Sequence, residues 1–89
     1  MLKVRVVTVV LGTEYHKTAS MPFPPASGLW LSGLLGPDGP PVRVTKVVYA
    51  ADSEIYVAKV QLDGGRMTLP QADAYLYPRG WRRREEGRK

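Results

Sequence analysis

The chain contains no cysteine, no asparagine and a single histidine among its 89 residues. Without cysteine it can form neither a disulfide framework nor a thiolate metal site, so its stability must come from packing and strand pairing. The same absence fits a reducing compartment, and we expect a cytoplasmic protein. His16 lies beside Glu14 and Lys17, which indicates a solvated side chain and no metal ligand or catalytic base.

Long apolar runs are missing as well. The longest uncharged segment, residues 18–37, is interrupted by prolines and glycines, so it does not predict a transmembrane helix. Lys3 and Arg5 break the apolar stretch at the N-terminus, and no small-residue cleavage site follows, which predicts no signal peptide. We therefore expect no membrane partner.

Amide side chains are scarce, with two glutamines beside the missing asparagine, and eight arginines outnumber five lysines. Poverty in thermolabile amides, together with prolines in loops, is typical of thermophile proteins. A GC-rich genome produces much the same bias, and both origins stay open.

Positive charge is unevenly distributed along the chain. Residues 1–78 hold seven basic and six acidic side chains, whereas residues 79–89 hold six basic and two acidic ones. The net charge of +5 and the pI of 9.8 therefore come mostly from the C-terminal end. We predict a nearly neutral domain over residues 1–78 and a basic, flexible tail over residues 79–89.

Two β-branched runs, VRVTKVVYA and IYVAKVQL, are joined by a short polar turn and predict a central hairpin over residues 42–62. Residues 2–11 and 14–21 predict a second hairpin that turns at Gly12-Thr13. In its first strand the apolar alternation shifts by one residue at Val6–Val7, which indicates either a β-bulge or a strand buried on both sides.

The segments between and after the hairpins are less regular. Residues 21–25, MPFPP, predict an extended crossing with Phe23 inserted into the core. Residues 28–35, GLWLSGLL, predict a short apolar strand. For residues 67–78 two alternatives stay open, a short helix capped by Thr68 or a final strand.

Five or six short strands, separated by turn signals, predict an all-β fold. We expect a small antiparallel barrel of SH3-like or OB-like type, because closing the sheet removes edges that a short chain without helices cannot cover otherwise.

The order of these features resembles short SH3-like barrel proteins of bacteriophages and other mobile elements. MPFPPASGLWLSG provides a Pro-rich crossing followed by G-x-x-L, and VRVTKVVYAADSEIYVAKV provides a hairpin with V-x-x-V-x-Y. The resemblance covers residues 4–62. It implies a fold and a phage setting, with a virion-associated location as the alternative to the cytoplasm. Most proteins of this kind have no assigned activity, so the resemblance implies no chemistry.

Catalytic motifs are not found. The serines lack a G-x-S-x-G context, and Gly64-Gly65 lacks the spacing of a phosphate-binding loop. Asp52 and Glu54 flank a turn, where an aspartate serves the turn itself. We expect a binding or adaptor protein that is not an enzyme, with no cofactor, no metal and no small-molecule substrate.

An aromatic, basic cluster near the C-terminus predicts contact with DNA or RNA. Arginines can follow a phosphate backbone while an indole ring stacks on a base, and two tyrosines two residues apart share a face if they lie on a strand. The predicted site comprises Tyr75, Tyr77, Arg79, Trp81, Arg82, Arg83 and Arg84. The other interpretation is that the arginines keep the protein soluble and the aromatic residues close the core.

A protein partner is the alternative prediction. Trp30, Leu34 and Leu35 precede a GPDGPP turn and would form an exposed apolar patch. Such a module would be a particle accessory, a modulator of a host machine such as RNA polymerase, or a homo-oligomer joined through an edge strand. The other interpretation places the three residues in the core, and we favour it for Trp30.

Overall fold

The computed structural model of the protein describes residues 1–37, 39–62 and 68–83. Its elements, in chain order, are β1 (Leu2–Val10), β2 (Thr13–Met21), β3 (Trp30–Leu31), β4 (Val42–Ala50), β5 (Ile55–Gln61), α1 (Leu69–Leu76), a 3₁₀ turn (Tyr77–Arg79) and β6 (Arg82–Arg83).

All the strands belong to one six-stranded sheet with the order β3-β4-β5-β1-β2-β6. The pair β1–β5 is parallel, and the other neighbouring pairs are antiparallel. The predicted all-β class and both predicted hairpins are confirmed. The sheet is open, because β3 and β6 occupy opposite edges and do not pair with each other in the described residues. The expected closed, antiparallel barrel is therefore not the arrangement that forms.

One face of the sheet is covered by α1 and by the segment that follows it. Ala72 and Leu76 of α1 and Trp81 are fully buried against the sheet valines Val4 and Val6. We call this side of the sheet the covered face.

The strand β1 carries no bulge. Its register with β2 runs from Leu2↔Met21 to Val10↔Thr13 without a shift, and the two are joined by a tight turn at Leu11-Gly12, where both residues have positive φ. Val6 is buried on the covered face and Val7 on the opposite face. Of the two alternatives, β1 is therefore the strand that is buried on both sides at its centre.

The bulge lies in β4 instead, between Val44 and Lys46. A bulge inserts one residue and so reverses the faces of all residues beyond it. Val42 and Val44 point to the covered face before the bulge, and Val47, the register partner of buried Ala58, points there after it. This is why apolar residues in VRVTKVVYA occupy both phases of the sequence.

The helical alternative for residues 68–76 is confirmed. Thr68 is the N-cap, and its side chain and that of Gln71 form a capping box. Pro70 is tolerated in the first turn, because its missing N–H would have no partner within the helix there. Ala72 and Leu76 are four residues apart and therefore lie on the same side of the helix.

Two aromatic residues lie outside the core against expectation. Phe23, predicted to insert into the core, is 54% exposed, and Trp30 is 61% exposed. The predicted strand over residues 28–35 is reduced to Trp30–Leu31. Trp81 fills the core instead, and its ring nitrogen donates a hydrogen bond to the carbonyl oxygen of Leu34 at 3.0 Å.

Residues 79–83, which the charge pattern assigned to a flexible tail, are part of this fold. Arg79 ends the 3₁₀ turn, Trp81 is in the core, and Arg82 and Arg83 pair with β2. The rest of the predicted tail, residues 84–89, lies outside the described residues.

Candidate functional site

The C-terminal cluster predicted to contact nucleic acid makes mainly internal contacts. Trp81 is fully buried, so in this fold its ring is not available to stack on a base. Tyr75 and Tyr77 are half-buried and pack against the core; they lie on α1 and the 3₁₀ turn and do not share a strand face. For these three aromatic residues the structure therefore agrees with the interpretation that they close the core. Arg84 lies outside the described residues.

The guanidinium group of Arg79 holds the end of the helix against the β3–β4 connection. Its Nε donates to the carbonyl oxygen of Leu35 at 3.0 Å, and its Nη1 donates to that of Tyr75 at 2.6 Å. The same group lies 4.1 Å from the centre of the Tyr75 ring, within the range of a cation–π contact. Arg82 is exposed, but its Nη1 donates to the carbonyl oxygens of Tyr77 and Trp81.

Arg83, Asp73 and Tyr15 form a polar cluster that joins β6, α1 and β2. The Arg83 guanidinium makes a bidentate ion pair with the Asp73 carboxylate, at 3.0 and 2.7 Å, and the Tyr15 hydroxyl donates to Asp73 Oδ1 at 2.6 Å. Hydrogen bonds from Arg83 and Tyr15 lower the pKa of Asp73. Burial, followed by the hydrogen bond to Asp73, raises the pKa of Tyr15 to about 12. Both shifts move away from neutral pH, so the cluster is suited to holding elements together and not to transferring protons.

The alternative apolar patch is not assembled either. Leu34 and Leu35 are buried in the core cluster, whereas Trp30 is exposed. Of the three residues predicted to contact a protein partner, Trp30 alone is at the surface, and the preference for a buried Trp30 was wrong.

The sheet side opposite α1 is a candidate site that the sequence did not predict. We call it the open face. On β1, β5, β4 and β3, the described strand residues that register and alternation place there are Lys3, Arg5, Val7, Val9, Trp30, Arg43, Lys46, Val48, Ala50, Ile55, Val57, Lys59 and Gln61. Most of these side chains are exposed. They form rows across neighbouring strands, such as Val7–Lys59–Lys46 and Gln61–Arg43–Trp30.

The open face is strongly basic. Five cations from β1, β4 and β5 project from it: Lys3, Arg5, Arg43, Lys46 and Lys59. Of the described acidic residues, Glu14 on β2 is the one that lies on a strand, and its pairing with Val9 places it on this side of the sheet. The others are in the β4–β5 turn or on α1. This side of the sheet thus carries a net positive charge in a domain that is nearly neutral in sum.

The bulge in β4 explains part of why this face was missed. Arg43 and Lys46 have opposite parity in the sequence, and the bulge between Val44 and Lys46 brings both to the same side. Lys46 is also the register partner of Lys59, and like charges directly opposite each other weaken strand pairing. The sequence offered one signal for this face. Lys3 and Arg5 alternate with apolar residues in β1 and therefore point to the same side of the strand.

Trp30 borders a groove at one end of the open face. The groove has a volume of about 450 Å³ and is lined by Trp30, Pro40, Pro41, Arg43 and Gln61. A second depression of about 410 Å³ contains Val7, Val9, Lys59 and Gln61 in its lining. Gln61 borders both, so the two lie side by side along β5.

The described residues also bear on metal sites and membrane spans. No group of three or more His, Asp or Glu side chains in this part of the chain is placed to hold a metal ion. None of the described helices has the length and apolar character needed to cross a membrane.

Comparison of the chain with models of protein families, with curated proteins and with solved structures finds no match.

Proposed function

We propose that the protein is a non-catalytic binding module that contacts nucleic acid through the open face. The observation that supports this proposal best is the set of five cations on three neighbouring strands of a face that α1 leaves uncovered. A row of cations held at strand spacing attracts a polyanion, and the released counterions drive the association. This site replaces the C-terminal cluster, whose described arginines are bound to carbonyl oxygens or to Asp73.

The pair Lys46 and Lys59 adds weight to this proposal. Their ammonium groups share a row of the sheet, and their mutual repulsion is relieved when an anion lies between them. The exposed side chains in the next row of the sheet include the amide of Gln61 and the indole of Trp30. A face that combines cations, hydrogen-bonding groups and an exposed ring suits a nucleic acid better than a plain anionic surface.

The test is a salt titration of binding to DNA and RNA by the full chain and by the triple variant R5Q/K46Q/K59Q. We expect the variant to bind more weakly at low salt. The slope of log K against log salt should fall by about two to three, because each of the three cations neutralises one phosphate and each neutralised phosphate contributes about 0.7–0.9. Thermal unfolding of the variant should match or slightly exceed that of the full chain, since all three side chains are exposed and two of them form the like-charged pair Lys46–Lys59.

A chain ending at Arg83 is the matched comparison for this test, because it keeps every residue of the described fold. We expect it to retain most of the affinity and the salt slope that the triple variant loses. Unchanged binding by the triple variant, combined with lost binding by the shortened chain, would overturn the open-face site and restore the C-terminal prediction.

We also propose, from the order of sequence features alone, kinship with the short SH3-like proteins of bacteriophages. A cytoplasmic or virion-associated location, an SH3-like or OB-like type and a thermophile origin belong to the same set of proposals. An experimental structure compared with such proteins, and the genomic neighbourhood of the coding sequence, test this kinship.

A second candidate function is pairing with a protein strand or with another copy of this chain along the edge of β4. Within the described residues, β3 pairs with Val42 and Arg43 only, while β4 continues to Ala50. Val48 and Tyr49 on this free length are 46% and 51% exposed, and an exposed apolar edge invites strand addition. Sedimentation of the full chain and of Val48→Lys tests it: association that resists salt and is lost in the variant supports the edge as an interface.

A further inference from the structure

The groove beside Trp30 adds specificity to the open face. We propose that it is a base-stacking site and that the ligand of the open face is therefore single-stranded nucleic acid. This inference rests on the proposed function and specifies the substrate class of the same face.

Trp30 is presented by rigid backbone. It pairs with Arg43 in β4. The backbone N–H of Val44 donates to the carbonyl oxygen of Leu29 at 2.8 Å, and the backbone N–H of Gly28 donates to the carbonyl oxygen of Val44 at 2.7 Å. The backbone at Trp30 and at the two residues before it is thus anchored to β4, yet the indole is 61% exposed. A large ring held in place at the surface forms a platform that loses little freedom when a second ring stacks on it.

The walls of the groove suit a flat, partly polar ring. Trp30, Pro40 and Pro41 supply apolar surface, and the two adjacent prolines restrict the backbone. Gln61 supplies an amide that both donates and accepts hydrogen bonds, which can pair with the edge of a base. Arg43 supplies a cation at the same position along the sheet. A volume of about 450 Å³ lies within the usual range for small-ligand pockets.

The cations lead to this groove from the middle of the sheet. Lys46 and Lys59 occupy one row, and Arg43 with Gln61 occupies the next row toward Trp30. A backbone that runs across these rows brings its phosphates to the cations and its bases to the groove. In a duplex the base faces are covered by stacking and the Watson–Crick edges by pairing, so Trp30 has no base face to stack on. A single strand offers both the faces and these edges.

The experiment titrates the full chain with single-stranded oligothymidylate and oligouridylate of about ten nucleotides and with a duplex of matching length. Tryptophan fluorescence reports on Trp30, because Trp81 is fully buried. We expect the single strands to quench the fluorescence and the duplex to leave it nearly unchanged. Anisotropy of labelled oligonucleotides gives the affinities.

Variants of the ring separate stacking from charge. Trp30→Ala should lower single-strand affinity about five- to 150-fold, the loss typical of one base-stacking ring, while duplex affinity and the salt slope stay the same. Trp30→Phe should recover part of the loss. Tyr49→Ala removes an aromatic residue of similar exposure from the other side of the sheet and should leave the affinities for the oligonucleotides unchanged.

The outcomes are distinguishable. Single and double strands bound equally, with Trp30→Ala without effect and R5Q/K46Q/K59Q still weakening both, would overturn the stacking site and leave the open face as a nucleic-acid site. No binding of any oligonucleotide by the full chain at low salt would overturn the proposed function and this inference together. Equal loss of affinity in Trp30→Ala and Tyr49→Ala would also count against stacking.

Discussion

The covered and open faces of the sheet are built by the same strands, and they have opposite contents. In β1, Val4 and Val6 point into the core while Arg5 projects from the other side. The tryptophans divide in the same way, Trp81 beneath the covered face and Trp30 at the edge of the open face. The contrast shows that the net charge of so small a domain is a poor guide to the charge of its surfaces, because alternate residues of a strand point to opposite faces of the sheet.

The division also separates two kinds of basic residue. Arg79 and Arg83, close to the covered face, are bound to carbonyl oxygens and to Asp73 and fasten the helix to the sheet. Arg5, Lys46 and Lys59 on the open face are exposed strand residues. The described arginines of the basic C-terminal run mainly hold the fold together. The cations that lie close to one another at the surface come from separate strands.

The most direct way to break this comparison is to truncate each tryptophan. Trp81→Ala should lower the free energy of unfolding by about 3–5 kcal/mol, since it removes a fully buried ring and leaves a cavity. Trp30→Ala should change it by less than about 0.5 kcal/mol, because the ring is exposed. Urea unfolding of both variants checks this. Similar losses in the two variants would mean that the faces do not differ as described.

A second test concerns the polar cluster on the covered side. Because the folded-state pKa of Asp73 is lowered, its contribution to stability is present above the ordinary carboxyl pKa of about 4 and is lost as the pH falls through the folded-state value. Because the pKa of Tyr15 is raised from 10.0 to about 12, its contribution is present below pH 10.0 and is lost as the pH rises toward 12.

Unfolding free energies measured across pH separate the two contributions. Asp73→Asn should be less stable than the full chain at neutral pH and should lose less of its stability in acid. Tyr15→Phe should lose less stability in alkali. Exposed Tyr49→Phe is the control and should follow the full chain at both ends. A Tyr15→Phe profile that coincides with the control would contradict the cluster described here.

The smallest effect is expected on the open face. Lys46→Glu replaces a like-charged pair with Lys59 by an opposite-charged one, and should raise the free energy of unfolding by about 0.2–1 kcal/mol. The same substitution should weaken nucleic-acid binding, since it removes one cation and adds an anion. Lys46→Gln should be intermediate in both measurements. A Lys46→Glu variant that is less stable than the full chain would show that Lys46 has a structural role. It would contradict the distinction drawn here between the cations of the open face and the structural arginines.

Local patterns predicted much of the fold and little of the site. The two hairpins follow from β-branched runs around short turns, and the helix follows from Thr68 and Gln71, whose side chains cap it. The open face was hidden because the bulge between Val44 and Lys46 leaves no mark that distinguishes it from a strand buried on both sides. Phe23 and Trp30 were expected in the core because large aromatic residues usually are buried.

By itself, the sequence determined the four long strands of the two hairpins and that no disulfide holds them, since these depend on residues close together in the chain and on composition. The tertiary structure alone decided the parallel pairing of β1 with β5, the covered and open faces and the place of Trp81. The contacts responsible join residues far apart, such as Trp81 to Leu34 across 47 positions and Tyr15 to Asp73 across 58. The local sequence pattern does not predict such contacts, because the free energy that selects them is gained only when the distant segments pack together.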